Sequence, residues 1–147
     1  MVEFREAIEQ DVFKGLFELL QGSFTRNVEN INKTKVIEQF NCITSQNSKI
    51  IVAVAGETII GTAKVLIEYK LHNNLAKMAH IEDVCVNKDY QNVGIGKQLV
   101  QYCIDNYCLD CYKIVLSCKE HLEMFYNKNN FNKTGISMTR YTSLTSV

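Results

Sequence analysis

Gln91-Asn92-Val93-Gly94-Ile95-Gly96 separates a β-rich run, residues 79–86, from a run with helical spacing, residues 97–107. Two glycines at a strand-to-helix turn let the backbone approach a ligand closely and aim successive N–H groups in one direction. The helix that follows brings its partial positive charge and unpaired donors to the same place. That combination fits a phosphate. Gly-x-Gly alone also occurs in ordinary turns and caps, so the flanking sequence has to decide between the two.

Working outward, the pattern alternates strands and helices. Residues 2–8 are expected to form a first strand, and Asp11 to cap a helix whose Val12, Leu16, Leu19 and Leu20 share a face and which stops near Gly22. Asn-rich residues 27–32 read as loop, and residues 34–43 as a second helix with Val36, Ile37 and Phe40 on one side. Residues 50–55 and 58–69 are strands joined by a Gly56-Glu57 hairpin turn, residues 70–77 a polar connection, and residues 78–86 a fourth strand. Beyond the glycine loop, Leu99, Val100, Cys103 and Ile104 mark a helix. The nearly all-apolar residues 112–118 suit an interior strand covered on both faces. A helix over residues 119–129 and a final strand pair around residues 132–142 complete the series. The fold class is α/β, with chain order β-α-α-β-β-β-α-β-α-β. No proline and no Gly/Ser-rich linker interrupts the 147 residues, so residues 1–147 read as a single domain.

Composition narrows the function classes. Apolar and charged fractions of 46% and 22% are those of an ordinary globular protein. Sixteen basic and 16 acidic side chains cancel, which gives no electrostatic footing for nucleic acid or an anionic membrane. No apolar run approaches the ~20 residues of a membrane span, and the charged start, Met1-Val2-Glu3-Phe4-Arg5-Glu6, has no signal-peptide core. Of six cysteines, Cys108 and Cys111 form a lone C-x-x-C that follows a helix instead of opening one, with no second pair or suitably spaced histidine. Zinc and redox roles are therefore not expected. The cysteines read as small hydrophobes of a reducing compartment, and the protein as cytoplasmic with no metal.

The flanks of the glycine loop carry a resemblance. Gln91-x-x-Gly94-x-Gly96 resembles the Gln/Arg-x-x-Gly-x-Gly/Ala signature of the GNAT superfamily of N-acetyltransferases. The runs His80-Ile81-Glu82-Asp83-Val84-Cys85-Val86, Cys111-Tyr112-Lys113-Ile114-Val115-Leu116 and Phe125-Tyr126-Asn127-Lys128-Asn129-Asn130-Phe131, with Ile67-Glu68-Tyr69-Lys70 upstream, are similar to the glucosamine 6-phosphate N-acetyltransferase family over roughly the second half of the chain. The resemblance implies a central mixed, mostly antiparallel sheet flanked by helices and acetyl-CoA as co-substrate. It also implies an aminosugar phosphate as acceptor, and a homodimer in which both subunits build the substrate pocket. An acceptor of another kind (a protein amine, polyamine or aminoglycoside) and a non-catalytic acyl-CoA-binding module are the rival readings.

Acetyl transfer from a thioester to an amine needs a neutral amine, a polarised carbonyl and a stabilised leaving thiolate. No Ser-His-Asp or Cys-His constellation is evident, which suits direct attack. Glu82 and Asp83 are adjacent, so a regular strand sends them to opposite faces. The resemblance implies that Asp83 orients the aminosugar and Glu82 helps receive the amine proton. It implies further that backbone N–H groups of Val84, Cys85 and Val86 meet the pantetheine arm, where two strands splay. Tyr126 is read as core from its position alone, and as the acid for the departing thiolate from the Phe125-Tyr126-x-Lys128 match. Coenzyme A contacts are further implied for Gln91, Asn92, Val93, Gly94, Ile95, Gly96, Lys97, Ser117 and Lys128. Substrate contacts are implied for Thr25, Lys70, Asn73, Tyr112 and Lys113, with His72 one position out of register. Three positions depart from the family: Ser117 for an acidic residue, Leu122 for Asn, and Asn130 for a Gly whose left-handed backbone Asn tolerates.

Overall fold

The structure is a computed structural model and describes residues 1–142. Five strands form one sheet in the order β1-β2-β3-β4-β5: β1 Val2–Glu6, β2 Ser48–Ala55, β3 Thr58–Tyr69, β4 Lys77–Val86 and β5 Lys113–Val115. The first four are antiparallel neighbours, and β5 joins β4 in parallel. Four α-helices flank the sheet: α1 Phe17–Phe24, α2 Lys33–Thr44, α3 Ile95–Tyr107 and α4 Glu123–Lys128.

Cross-strand partners share a face, and the two faces bury separate cores. Ile51, Ala53, Ala63, Val65, Ala79 and Ile81 pack with Leu99, Val100 and Cys103 of α3 and Tyr126 of α4. Ile50, Val52, Val54 and Ile59 pack on the opposite side with Val12, Leu16 and Phe40. Strand β4 changes phase on the way. Lys64 pairs with Glu82 and Thr62 with Cys85, so Asp83 and Val84 together oppose the single residue Ala63. Asp83 takes φ 54° to accommodate this bulge. Ala79 and Ile81 before it, and Val84 and Val86 after it, therefore reach the same α3–α4 core.

The elements differ from expectation where side chains or backbone approach intervene. β1 ends at Glu6 because Asp11, 3% exposed, gathers the chain beyond it. Its carboxylate accepts two hydrogen bonds from Arg5, 2.7 and 2.9 Å, and one from the Ile8 N–H at 2.8 Å. Asp11 thus closes a 3₁₀ turn, Glu9–Asp11, and does not cap α1. The next turn, Val12–Leu16, is a wide one broken by Gly15 at φ 115°, and a Cβ there would come within 3.0 Å of the Ile59 carbonyl oxygen. The helix proper starts only at Phe17 and runs past Gly22 to Phe24.

β5 keeps three of the seven residues expected and is an edge strand, half-exposed, not an interior one. Among the described residues no strand follows α4. A strand exists only where a ladder partner takes up its backbone groups, and residues 132–142 occupy none of the open edge of β5. Ile136 and Met138 stand 91% exposed. Of the cysteines, Cys103 and Cys108 are buried, with thiols pushed up to about 12 and about 11 by that burial, whereas Cys42 and Cys118 are exposed.

Candidate active site

The glycine loop is built between β4 and α3. Residues 88–90 form a single 3₁₀ turn, Asn92 takes φ 63° and Gly94 φ 89°, and Gly94 stands as the N-cap of α3. No side chain caps that helix, and the first intrahelical bond runs from the Gln98 N–H to the Gly94 carbonyl, 3.0 Å. The N–H groups of the first turn are thus left for a ligand. Gln91 is a brace: its side-chain amide donates to the Val86 carbonyl at 2.9 Å and ties the loop to the strand end. The side chain of Ile95 is buried in the core, so only its backbone faces the loop. Val93 and Lys97 are exposed.

β4 and β5 part company beside this loop. Their pairing stops at His80 and Val115, while β4 continues six residues further along β3. The Asn87 N–H donates to the Ile60 carbonyl at 2.7 Å. By alternation from Asn87, the Val86 backbone turns away from β3 into the gap.

Tyr126 closes the far side. It is 7% exposed, held edge-on to Phe125 at 4.9 Å and to Phe131 at 5.9 Å between ring centroids. Burial, with the Cys118 thiol nearby, pushes its phenol up to about 12. The group therefore holds its proton at neutral pH. Gly96 sets how closely α4 approaches, since a Cβ there would meet Phe125 Cζ at 3.4 Å and Val86 Cγ2 at 3.8 Å. Strand end, loop and α4 converge at that one residue. Asn130 takes φ 66°, as a Gly-like position requires, and Ser117 and Lys128 are exposed.

The opposite face of β3 and β4 carries a charged stripe. Lys64 and Glu82 are cross-strand partners, and Lys64 Nζ lies 3.4 Å from Asp83 Oδ2. Because of the bulge, Glu82 and Asp83 are both exposed and do not divide cleanly between two faces. Further along, Glu68 shares its carboxylate: Oε2 lies 2.7 Å from His80 Nε2, and Oε1 is ion-paired with Lys70 Nζ. Lys70, then His80, hold that carboxyl below its ordinary range. Residues 73–75 form a left-handed turn, with φ of 50°, 57° and 60°. Within it the Asn73 side chain lies 3.0 Å from His72 Nδ1. His72 in turn stands edge-on to Tyr112 at 6.5 Å, and Lys113 Nζ lies 5.4 Å above the Tyr112 ring. Thr25 is the C-cap of α1 and half-buried, two residues beyond Ser23, which lies beside the Cys85 thiol.

The structure thus groups the loop, the splayed strand and Tyr126 on one side, and Lys70, Asn73, Tyr112 and Lys113 around the β3–β4 connection on the other. Glu82 and Asp83 lie between. Sequence reading assigned no role to Lys64, Glu68 or His80, although period-2 spacing from Lys64 and back from Glu82 places them on one stripe. Two concavities, ≈ 410 Å³ between α1, α2 and β2 and ≈ 340 Å³ beside Tyr69, Lys77 and Tyr107, lie away from the loop. The candidate site is an open cleft.

Known proteins resemble this chain along most of its length. The acetyltransferase (GNAT) family model matches residues 13–131. The chain is 32% identical over 146 residues to glucosamine 6-phosphate N-acetyltransferase 1 of Dictyostelium discoideum, covering 95% of this chain and 90% of that one. It is 31% identical to glucosamine 6-phosphate N-acetyltransferase of Arabidopsis thaliana, over 89% and 90% of the two chains. The crystal structure of glucosamine-6-phosphate N-acetyltransferase from Arabidopsis thaliana superposes with a TM-score of 0.87 at 29% identity, over 96% and 98% of the chains. The chain belongs to the acetyltransferase (GNAT) family.

Proposed function

We propose that this protein transfers the acetyl group of acetyl-CoA to the amine of D-glucosamine 6-phosphate, giving N-acetylglucosamine 6-phosphate and CoA by direct attack. The observation that carries the reading is the meeting of an uncapped helix N-terminus and a splayed strand edge at Gly96, with α4, which bears the proton-holding phenol of Tyr126, packed against it through Phe125. It is supported by relatives of the same name along nearly the whole chain.

Acetyl-CoA supplies an acyl group already activated as a thioester. The backbone donors of residues 92–97 hold its pyrophosphate, with Ser117 and Lys128 flanking it, and the Val84 and Val86 N–H groups hold the pantetheine arm and polarise the thioester carbonyl. Asp83 orients the aminosugar. Glu82, through its carbonyl or a water, takes the proton that the amine nitrogen sheds as the C–N bond forms. When the C–S bond breaks, Tyr126 gives its proton to sulfur and recovers one from solvent. Thr25, Lys70, Asn73, Tyr112 and Lys113 hold the sugar and its phosphate. A second copy of the chain completes the assembly, for which the open β5 edge and the exposed Ile136 and Met138 provide a surface.

A thiol-release assay with acetyl-CoA tests the acceptor. Glucosamine 6-phosphate is expected to be acetylated far better than glucosamine, because phosphate contacts hold the amine in line. Equal kcat/KM for the two sugars removes the sugar-phosphate assignment.

A further inference from the structure

Lys70 does not stand as a free cation on its sheet. Its ammonium is paired with Glu68, whose second oxygen is held at 2.7 Å by His80 from the neighbouring strand. The lysine side chain is 20% exposed and that of His80 24%. The Lys70 backbone N–H is anchored separately to the Ala76 carbonyl at 2.9 Å. We infer that Glu68 and His80 are positioning residues for acceptor recognition: the pair pins the Lys70 ammonium so that its remaining donors are aimed at the anionic group of the substrate. The inference rests on the reading of the acceptor as a sugar phosphate and assigns a task to two side chains which that reading leaves idle.

The argument weighs two opposed effects. A carboxylate beside Lys70 lowers the local positive potential that attracts an anion. Against that, a lysine side chain carries ~2 kcal/mol of rotamer entropy, and an ammonium has three donors, of which Glu68 occupies one. Two remain for a phosphate without the ion pair breaking. The carboxylate is 41% exposed, so solvent weakens its competing field, while its hydrogen-bonded contact with Lys70 still restricts where the ammonium goes. Pinning prevails. His80 matters because it fixes the carboxylate from behind; without it Glu68 and Lys70 would move as a flexible pair.

The test is kinetic and uses two acceptors, glucosamine 6-phosphate and glucosamine. Glu68→Gln keeps the shape and removes the charge. It is expected to raise KM for the phosphorylated sugar by about tenfold or more, the scale of a lost hydrogen bond to a charged group. kcat and the KM of acetyl-CoA should stay within about twofold, and kcat/KM for glucosamine should be spared. In a Lys70→Ala background the same change should add nothing, because its effect passes through that lysine. His80→Gln, which leaves both charges in place, should reproduce the KM effect in smaller measure and carries the test if Glu68→Gln fails to fold. A loss shared equally by both sugars, a defect confined to kcat, or full additivity with Lys70→Ala overturns the inference. So does an improved KM for the phosphorylated sugar. A wild-type enzyme indifferent to the phosphate instead sinks the acceptor reading itself, and the two failures are told apart by the unmutated protein.

Discussion

Tyr126 illustrates how burial sets chemistry at a single side chain. Packed between Phe125 and Phe131, its phenol is pushed up to about 12, so it carries its proton throughout the range in which an enzyme works. Tyr126→Phe removes one hydroxyl and keeps the ring packing. The change is expected to lower kcat by about 10²–10⁴, the usual contribution of a positioned acid. KM for acetyl-CoA should stay within a few-fold, since the lost interaction strengthens only in the transition state. Steady-state kinetics of the two proteins check this, and near-normal kcat would reduce Tyr126 to packing. A pH profile adds a second reading: an alkaline fall in kcat below about pH 10 belongs to some other group. The burial of Tyr126 was legible from its position alone. The pairings of Lys64, Glu68 and His80 were not, since period-2 spacing puts them on one stripe but only strand register says which meets which.

At the scale of elements, periodicity served well wherever one face is buried along the whole length. The bounds of β3, residues 58–69, are those expected. It failed at β4, because alternation assumes one residue per step and the bulge at Asp83 inserts an extra one. It failed again before α1, where Gly15 must pass within van der Waals reach of the Ile59 backbone; no local pattern announces a contact 44 positions away. β5 was overestimated because residues 116–118 are apolar enough for a strand but have left β4 behind. The glycine loop, by contrast, could be read directly, since its requirement is local. Gly94 at φ 89° occupies backbone space in which a side chain costs roughly 1–2 kcal/mol. Gly94→Val should therefore weaken acetyl-CoA binding by tenfold or more in a folded protein, as titration calorimetry would register. Unchanged affinity would make the loop a structural turn.

For the whole molecule, the junction of β1 with the first helical turns is held by one buried carboxylate. Asp11 is kept well below the ordinary carboxylate range, chiefly by its hydrogen bonds from Arg5, against the opposing effect of burial. A depressed folded-state pKa stabilises the fold above the unfolded value of 3.8 and is lost as pH falls through the folded one. Asp11→Asn should cost about 3 kcal/mol near neutrality, the lower end for breaking a buried pair because Arg5 is partly solvated. Urea unfolding at several pH values checks this: the gap between the two proteins should narrow below pH 3.8, and a pH-independent gap would assign the loss to packing instead. The architecture as a whole was legible down to α4. The last segment was not, because whether a chain end becomes a strand depends on what lies across from it.

Gly96 leaves one further consequence. With Val86 on one side and Phe125 on the other at contact distance, it acts as a spacer of minimum thickness between two parts with separate duties. The loop donors that would grip the donor molecule and the helix that carries the phenol meet there across the space a methyl group would fill. Grip and discharge are therefore geared to one another. In this chain a methyl group on that turn would touch both Phe125 and Val86, so the seat of the donor and the helix that carries Tyr126 are expected to adjust together, and Gly96→Ala should move affinity and turnover in the same direction.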